Sequence, residues 1–248
     1  MELKEEERDA YWLPRIGLQE IYPLRRVLEG QDDLVAIDVG ANRGFWSHQF
    51  LSYFGRRTKR IELLEPLPGN IEDFKHLKKS GFFDPFSDRL TLHPLAASDK
   101  AGQITLNTDG EKSGLASANY EIARFHAFRF KLDKKISAKS IPIDEFMQQN
   151  GLTTVHCMKI DTEGHEMSVL KGAQAALKSQ SIQAIAFEFG PNSLFSGARF
   201  FDFYNLFDGF GYRLNRYHMG ARKLIPVETY STSEETYDDN YTIFATRI

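Results

Sequence analysis

The sequence has little cysteine, no excess of positive charge and no long apolar run, and each of these absences excludes a class of protein. Its single cysteine, Cys157, cannot form an internal disulfide, so we expect a reducing, cytoplasmic setting. The formal charge of −3 argues against a nucleic-acid partner, which would require a basic surface. No apolar run approaches the roughly 20 residues of a membrane span. The charged start, residues 1–9, also lacks the pattern of a signal peptide.

Strand and helix patterns alternate along the 248 residues, 42% of which are hydrophobic. This alternation predicts an α/β fold with a mostly parallel, doubly wound sheet in one large domain. The predicted parallel strands are 34–39, 60–64, 90–95, 155–160 and 182–189, and an antiparallel pair at 212–217 and 241–246 closes the sheet. The predicted helices are 45–54, 68–79, 163–178 and 199–208.

Two segments depart from this alternation. Residues 1–33 are predicted to form a helical extension to a domain of residues 34–248. The helical spacing at 13–28 predicts packing on the sheet edge or on an adjacent subunit, as in a homo-oligomer, with a substrate lid as the less favoured alternative. Residues 102–143 contain strand patterns at 102–108 and 137–143, and we interpret them as a β insertion after the third strand. Inside it, residues 124–130 mix cations with aromatics, which suits either a lid over the substrate or plain packing.

The strongest indication of function is the turn after the first strand. An apolar strand ends in Asp38, and Gly40, Asn42 and Gly44 follow before a helix begins. Glycines there allow a ligand to approach the backbone, and the helix N-terminus offers free N–H groups. The spacing is one glycine short of a dinucleotide fingerprint, and a carboxylate aimed into the turn favours an ammonium over a pyrophosphate. We therefore expect S-adenosylmethionine, with Asp38 directed at its amino-acid end.

Two further strand ends fit the same donor. Glu65, followed by Pro66, closes the second strand where a nucleotide-binding sheet places a carboxylate for the ribose hydroxyls. After the third strand, Ala97 and Ser98 are placed by topology beside the adenine, although a plain turn explains them nearly as well.

Candidate catalytic groups cluster at the end of the strand predicted at 155–160. Asp161, Glu163 and His165 follow it within five positions, and Glu188 ends the next strand. They suit a general base, a clamp on the cofactor or acceptor, or oxygen ligands for a divalent metal. Capping of the following helix accounts for Glu166 and, in part, for Glu163. We expect no metal, and keep Mg²⁺ held by Asp161, Glu163 and Glu188 as the less favoured alternative.

These motifs together resemble the FkbM family of S-adenosylmethionine-dependent methyltransferases. The resemblance keeps its order over about residues 34–189, and the segment MKIDTEGHEMSVLKGA at 158–173 is its most specific part. The other matching segments are AIDVGANRG at 36–44, LEP at 64–66, LAASDKAG at 95–102 and IDEF at 143–146. The resemblance implies a Rossmann-like methyltransferase fold and methyl transfer to oxygen, often on hydroxyls of sugars or secondary metabolites. It also implies cofactor contacts at Asp38, Gly40, Asn42, Gly44 and Glu65, with Ser98 near the adenine.

The predicted reaction is in-line attack of an acceptor hydroxyl on the sulfonium methyl, which needs alignment and a proton acceptor. We expect Asp161 to take the proton, with Glu163 or His165 assisting. The acceptor is expected to be a small molecule or a glycan. Two alternatives remain open at this point: a nicotinamide-dependent oxidoreductase, and an inactive cofactor-binding module that acts as a partner protein.

Overall fold

The computed structural model describes residues 16–119, 121–122, 132–237 and 241–248, without the side chain of Leu18. Its main sheet has eight strands in the order β10-β9-β11-β8-β7-β1-β2-β3. Their bounds are β1 Leu34–Val39, β2 Thr58–Leu64, β3 Leu90–His93, β7 Cys157–Ile160, β8 Ala184–Phe189, β9 Tyr212–His218, β10 Lys223–Pro226 and β11 Tyr241–Arg247. Strand β10 is the one that the sequence did not predict.

Five neighbouring strands of the main sheet, β3, β2, β1, β7 and β8, pair in parallel. Strand β11 is antiparallel to both of its neighbours, β8 and β9. The chain runs outward from β1 to β2 and β3, then crosses to the other side of β1 to form β7 and β8. Strand order therefore reverses between β1 and β7. In open α/β sheets this reversal opens a crevice at the carboxyl ends of the strands, where ligands bind.

Helices cover both faces of the main sheet, as the alternation predicts. Their bounds are α1 Leu24–Val27, α2 Phe45–Phe54, α3 Pro68–Lys79, α4 Ile143–Gln149, α5 Glu166–Lys171, α6 Gln174–Lys178, α7 Pro191–Phe195 and α8 Phe200–Gly209. On one face the core contains Ile37, Met158 and Phe187 together with Phe203 of α8. The fully buried Cys157 belongs to the opposite face, and burial raises the pKa of its thiol, as expected of an inert cysteine.

The N-terminal segment packs on a face of the sheet instead of its edge. A wide helical turn at Gly17–Ile21 precedes α1. Ile21, Leu24 and Leu28 are fully buried against α2 and the sheet face that carries Ala36. Apolar spacing alone specifies a buried stripe but not the surface that covers it, and residues 1–15 lie outside the described part of the chain.

The predicted insertion forms a second sheet. Strands β5 Gly102–Thr108 and β6 Lys134–Ile141 pair antiparallel, and β4 Ala96–Ala97 adds to β6 in parallel. This sheet therefore begins at residue 96, before the predicted start of the insertion. The aromatic and basic stretch at 124–130 lies outside the described residues.

The helix predicted at 163–178 is two helices, α5 and α6, that separate at Gly172. A Cβ on Gly172 would lie 2.1 Å from the carbonyl oxygen of Ser98, so the chain passes closely over the residue that follows β4. The Asp144 carboxylate then accepts hydrogen bonds from the N–H groups of Ala175 and Ala176 at 2.8 and 2.9 Å, which caps α6. The helix that carries Asp144, α4, was not predicted. None of the helices in the described ranges is long and apolar enough to cross a membrane.

Candidate active site

A cleft of about 580 Å³, including its open mouth, lies at the carboxyl ends of β1, β2 and β7. Of the residues that the sequence assigned to the site, the cleft is lined by Gly40, Asn42, Glu65, Pro66, Ala97, Asp161, Glu163 and His165. Asp38, Gly44, Ser98 and Glu188 lie behind its walls.

The glycine turn forms the floor between β1 and β7. Gly40 has a φ of 75°, and a Cβ there would lie 1.9 Å from the carbonyl oxygen of Asp161, so only glycine fits. Gly44 lies at the start of α2 and packs against Phe74 and Phe83. Asp38 is fully buried, and its Oδ2 accepts a hydrogen bond from Ser47 Oγ at 2.7 Å. The turn thus presents backbone to the cleft and keeps the Asp38 carboxylate beneath it.

Glu65 occupies the end of β2 and faces into the cleft. Its carboxylate accepts hydrogen bonds from the N–H groups of Leu67 and Asn42, at 2.9 and 2.8 Å, and from Asn70 Nδ2 at 3.2 Å. Burial raises the pKa of Glu65 to about 7, against the lowering effect of these donors. The carboxylate is fixed in the place expected for a ribose-binding acid.

Residues 111–118, which follow β5, cross the cleft. We call them the strap. Ser113 exchanges two hydrogen bonds with Asn70, at 2.8 and 3.2 Å, and its carbonyl also accepts one from Asn42 Nδ2 at 3.4 Å. At the far side, Ser117 Oγ donates to the carbonyl of Glu163 at 2.7 Å. The strap's small residues, Ser113, Gly114 and Ala116, line the cleft. Sequence reasoning missed the strap and Asn70, because no local pattern marks a contact across so many residues.

His165 lies with Ser98 and apart from the carboxylates. A hydrogen bond of 2.9 Å joins His165 Nε2 and Ser98 Oγ. Burial lowers the pKa of His165, which favours a neutral imidazole. His165 therefore lines the cleft with Ala97, and Ser98 holds it from behind.

Asp161 follows β7 and carries an ion pair. Lys159 Nζ donates to Asp161 Oδ2 at 2.8 Å. The Lys159 side chain is 11% exposed and that of Asp161 is 37% exposed, so the ammonium lies behind the carboxylate. Burial opposes the charge on Lys159, but the carboxylates of Asp161, Glu20 and Asp38 raise its pKa overall. Lys159 therefore remains an ammonium, and its pair with Asp161 reaches the cleft.

Two more carboxylates lie beside Asp161. Ligand oxygens of Asp161, Glu163 and Glu188 all lie within 4.8 Å of one another, which is close enough for one metal ion. Glu163 Oε2 accepts a hydrogen bond from Asn192 Nδ2 at 2.6 Å. Burial, and then the neighbouring carboxylate of Asp161, raises the pKa values of Glu163 and Glu188 well above the ordinary value. The cluster can accept a proton or bind a cation.

Glu166 lies in the first turn of α5, as predicted, but its carboxylate bonds the preceding turn and does not cap the helix. Its Oε1 accepts hydrogen bonds from the N–H groups of Thr162 and Gly164 at 2.8 and 3.2 Å, and from the Thr162 hydroxyl at 2.9 Å. These bonds fix the turn that holds Glu163. Glu163 itself has a φ of 51°, a strained value for a residue with a side chain, as is common at functional sites.

A parallel sheet that reverses at β1 and β7, an antiparallel β11 beside β8, and a glycine turn next to an acid-lined cleft define the Rossmann-like methyltransferase class. Residues 38–214 match the Methyltransferase FkbM domain, and the chain belongs to this family. Comparison with curated proteins finds no match.

Solved structures agree with this fold. The chain is similar to methyltransferase FkbM from Methylobacillus flagellatus KT, with a TM-score of 0.55 and 16% identity over 96% of this chain and 50% of that one. It is also similar to magnesium protoporphyrin IX methyltransferase (ChlM) from Synechocystis PCC 6803 with bound SAM, with a TM-score of 0.51 and 8% identity over 100% of this chain and 86% of that one. The chain spans half the length of the Methylobacillus protein, and at these identities the likeness shows the fold alone.

Proposed function

We propose that the chain transfers a methyl group from S-adenosylmethionine to a hydroxyl on a sugar, a glycan or a secondary metabolite. The observation that carries this proposal is a cleft lined by a buried ribose-type carboxylate, Glu65, and by Asp161 and Glu163, with Glu188 beside the last two. Membership of a methyltransferase family supports it.

The donor is S-adenosylmethionine, and the cleft suits its shape. Glu65 would accept hydrogen bonds from the ribose hydroxyls, Pro66 and Ala97 would contact the base, and the turn at Gly40 would leave room for the rest of the donor. Asp161 would serve the amino-acid end, and Glu163 would be left for the acceptor.

We assign the acceptor's proton to Glu163. A sulfonium methyl is already electrophilic, so catalysis needs an aligned oxygen and a base. Glu163 lines the cleft, Asn192 orients it, and its raised pKa makes it a stronger base than an ordinary carboxylate. The sequence favoured Asp161 for this task, but its Oδ2 already accepts a hydrogen bond from Lys159, and we assign it to the donor instead. His165 contacts Ser98 instead of the carboxylates.

The test is a transfer assay with methyl-labelled S-adenosylmethionine and a panel of monosaccharides, oligosaccharides and polyhydroxylated metabolites, with amines and thiols as comparison acceptors. We expect label on a hydroxyl compound, and expect Glu72→Gln, an exposed position on α3, to leave transfer unchanged. Label only on amines or thiols would contradict O-methylation. Binding of NADH without binding of S-adenosylmethionine would favour the oxidoreductase, and donor binding without transfer to any acceptor would favour the inactive module.

The carboxylate cluster also allows a metal-assisted variant. Asp161, Glu163 and Glu188 would hold Mg²⁺, which would orient the acceptor hydroxyl and lower its pKa. We expect transfer to continue after treatment with EDTA. Loss of activity that added Mg²⁺ restores would instead assign these three residues to a metal.

A further inference from the structure

Four charged side chains lie together beneath the glycine turn, and we call them the charge quartet: Glu20, Asp38, Lys159 and Asp161. Asp38 and Lys159 are neighbours across β1 and β7, and Asp161 follows β7. Glu20 comes from the helical turn Gly17–Ile21, which packs against α2. Electrostatic interactions join Lys159 to all three carboxylates. No function considered so far uses Glu20 or Lys159.

One ammonium serves three carboxylates in the quartet. Lys159 donates its hydrogen bond to Asp161, while Glu20 Oε2 and Asp38 Oδ1 are buried without a hydrogen-bond partner among the described residues. Among the residues that the structure describes, Lys159 is the one cation that interacts with both Glu20 and Asp38. Unpaired carboxylate oxygens are costly to bury. The quartet therefore suits a second cation.

The quartet meets the cleft at Asp161. The carbonyl of Asp161 touches Gly40, and its side chain is the exposed member of the ion pair with Lys159. If Lys159 served Asp161 alone, this end of the cleft would be neutral. Because Glu20 and Asp38 share the same ammonium, the end of the cleft keeps a negative potential.

We propose that Glu20 is a positioning residue of the donor site: by sharing Lys159 with Asp161, it keeps the Gly40 end of the cleft negative and so holds the α-ammonium of the donor. The inference rests on the proposed function. It makes the N-terminal turn a part of the donor site. It also assigns the two ends of the donor to different residues, because Glu20 serves the amino-acid end and Glu65 serves the nucleoside end.

Two ligands that differ in the amino-acid part test this inference by isothermal titration calorimetry at pH 8, above the pKa of about 7 of Glu20, so that its carboxylate is ionised. S-adenosylhomocysteine carries the α-ammonium, and 5′-methylthioadenosine keeps the nucleoside but lacks the amino-acid part. We expect Glu20→Gln to weaken S-adenosylhomocysteine binding roughly tenfold, the scale of one charge-assisted contact, and to leave 5′-methylthioadenosine binding unchanged. Glu29→Gln, at an exposed position just after α1, should change neither affinity. Glu65→Gln should weaken both.

A merely structural role for Glu20 predicts different results. Equal weakening of both ligands by Glu20→Gln, or no weakening of S-adenosylhomocysteine, would overturn the inference. Glu20→Asp, which keeps the charge, should retain more affinity for S-adenosylhomocysteine than Glu20→Gln, and the opposite order would also overturn it. If the wild-type protein binds neither ligand, the proposed function itself fails, and that result is distinct from a change confined to the variants.

Discussion

Glu65 shows how burial and ligand recognition compete within one side chain. Burial raises its pKa to about 7, while the three donors that hold it favour the ionised form. Ribose hydroxyls donate to a carboxylate more strongly than to a neutral acid. A ligand that binds Glu65 through its ribose should therefore bind more tightly when the Glu65 carboxylate is ionised.

The affinity for 5′-methylthioadenosine should accordingly rise between pH 6 and pH 8, because Glu65 loses its proton in that window. This ligand reports on the nucleoside end without the amino-acid part. Titration calorimetry at a series of pH values measures the change, and Glu65→Gln should bind weakly at every pH with little slope. A wild-type affinity independent of pH would show that Glu65 does not bind the ribose.

Glu163 and Asp161 should have different functions, which two variants can distinguish. Glu163→Gln removes the proposed base and should lower the rate of methyl transfer by about 10²-fold or more, the scale of general base catalysis, without changing affinity for S-adenosylhomocysteine. Asp161→Asn should weaken that affinity through the loss of its charge. Transfer assays and calorimetry on the two variants make the comparison. Full activity in Glu163→Gln together with loss of transfer in Asp161→Asn would return the base to Asp161.

At the scale of elements, the strap closes the cleft through Asn70. This side chain on α3 bonds both Glu65 and Ser113, so it links the ribose position to the segment above it. A second link, the exposed ion pair between Lys112 and Asp73, lies at the surface. The two links differ in burial, so their removal should have different effects.

Asn70→Ala should loosen the strap and weaken S-adenosylhomocysteine binding several-fold, because it removes both hydrogen bonds between α3 and Ser113 and one of the three donors to Glu65. Lys112→Ala should have little effect, since exposed ion pairs contribute about 0–1 kcal/mol. Hydrogen exchange at residues 111–118 and calorimetry measure the two effects. Similar exchange rates in the wild type and in Asn70→Ala would mean that the strap is held by its other contacts.

Elements with local signals were predicted well, and elements set by distant contacts were not. Helix α3 begins at Pro68 and β5 spans Gly102–Thr108, both as predicted, because a proline start and an alternating pattern are local. The break at Gly172 was missed, since it depends on the backbone of Ser98. The same holds for the candidate site. The carboxylates at strand ends could be found from the sequence, because they share one edge of a parallel sheet. No sequence spacing indicates that Asn192 orients Glu163.

At the scale of the whole molecule, buried carboxylates should make stability fall as pH rises. Glu20 and Glu65 have pKa values of about 7 in the folded protein against an ordinary value of 4.5. Between these values the unfolded chain ionises while the folded chain keeps its protons, so the free energy of unfolding decreases across the window. The stability that the neutral acids provide is complete below about pH 4.5 and lost above about pH 7.

Glu20→Gln should therefore be at least as stable as the wild type at pH 8, and its stability should fall less between pH 5 and pH 8. Urea unfolding of the two proteins at both pH values measures the difference. A steeper loss in Glu20→Gln would show that Glu20 is ionised and well paired in the folded state.

The position of β11 has a consequence for how the protein is made. Residues Tyr241–Arg247 lie between β8 and β9 and hold Glu188 in register through Thr242. On the ribosome, β8, β9 and β10 emerge before the strand that joins them. Until then β8 has an open edge, which is a site for aggregation. Because β8 and β9 pair only through β11, this side of the sheet can be completed only after residues 241–247 have emerged.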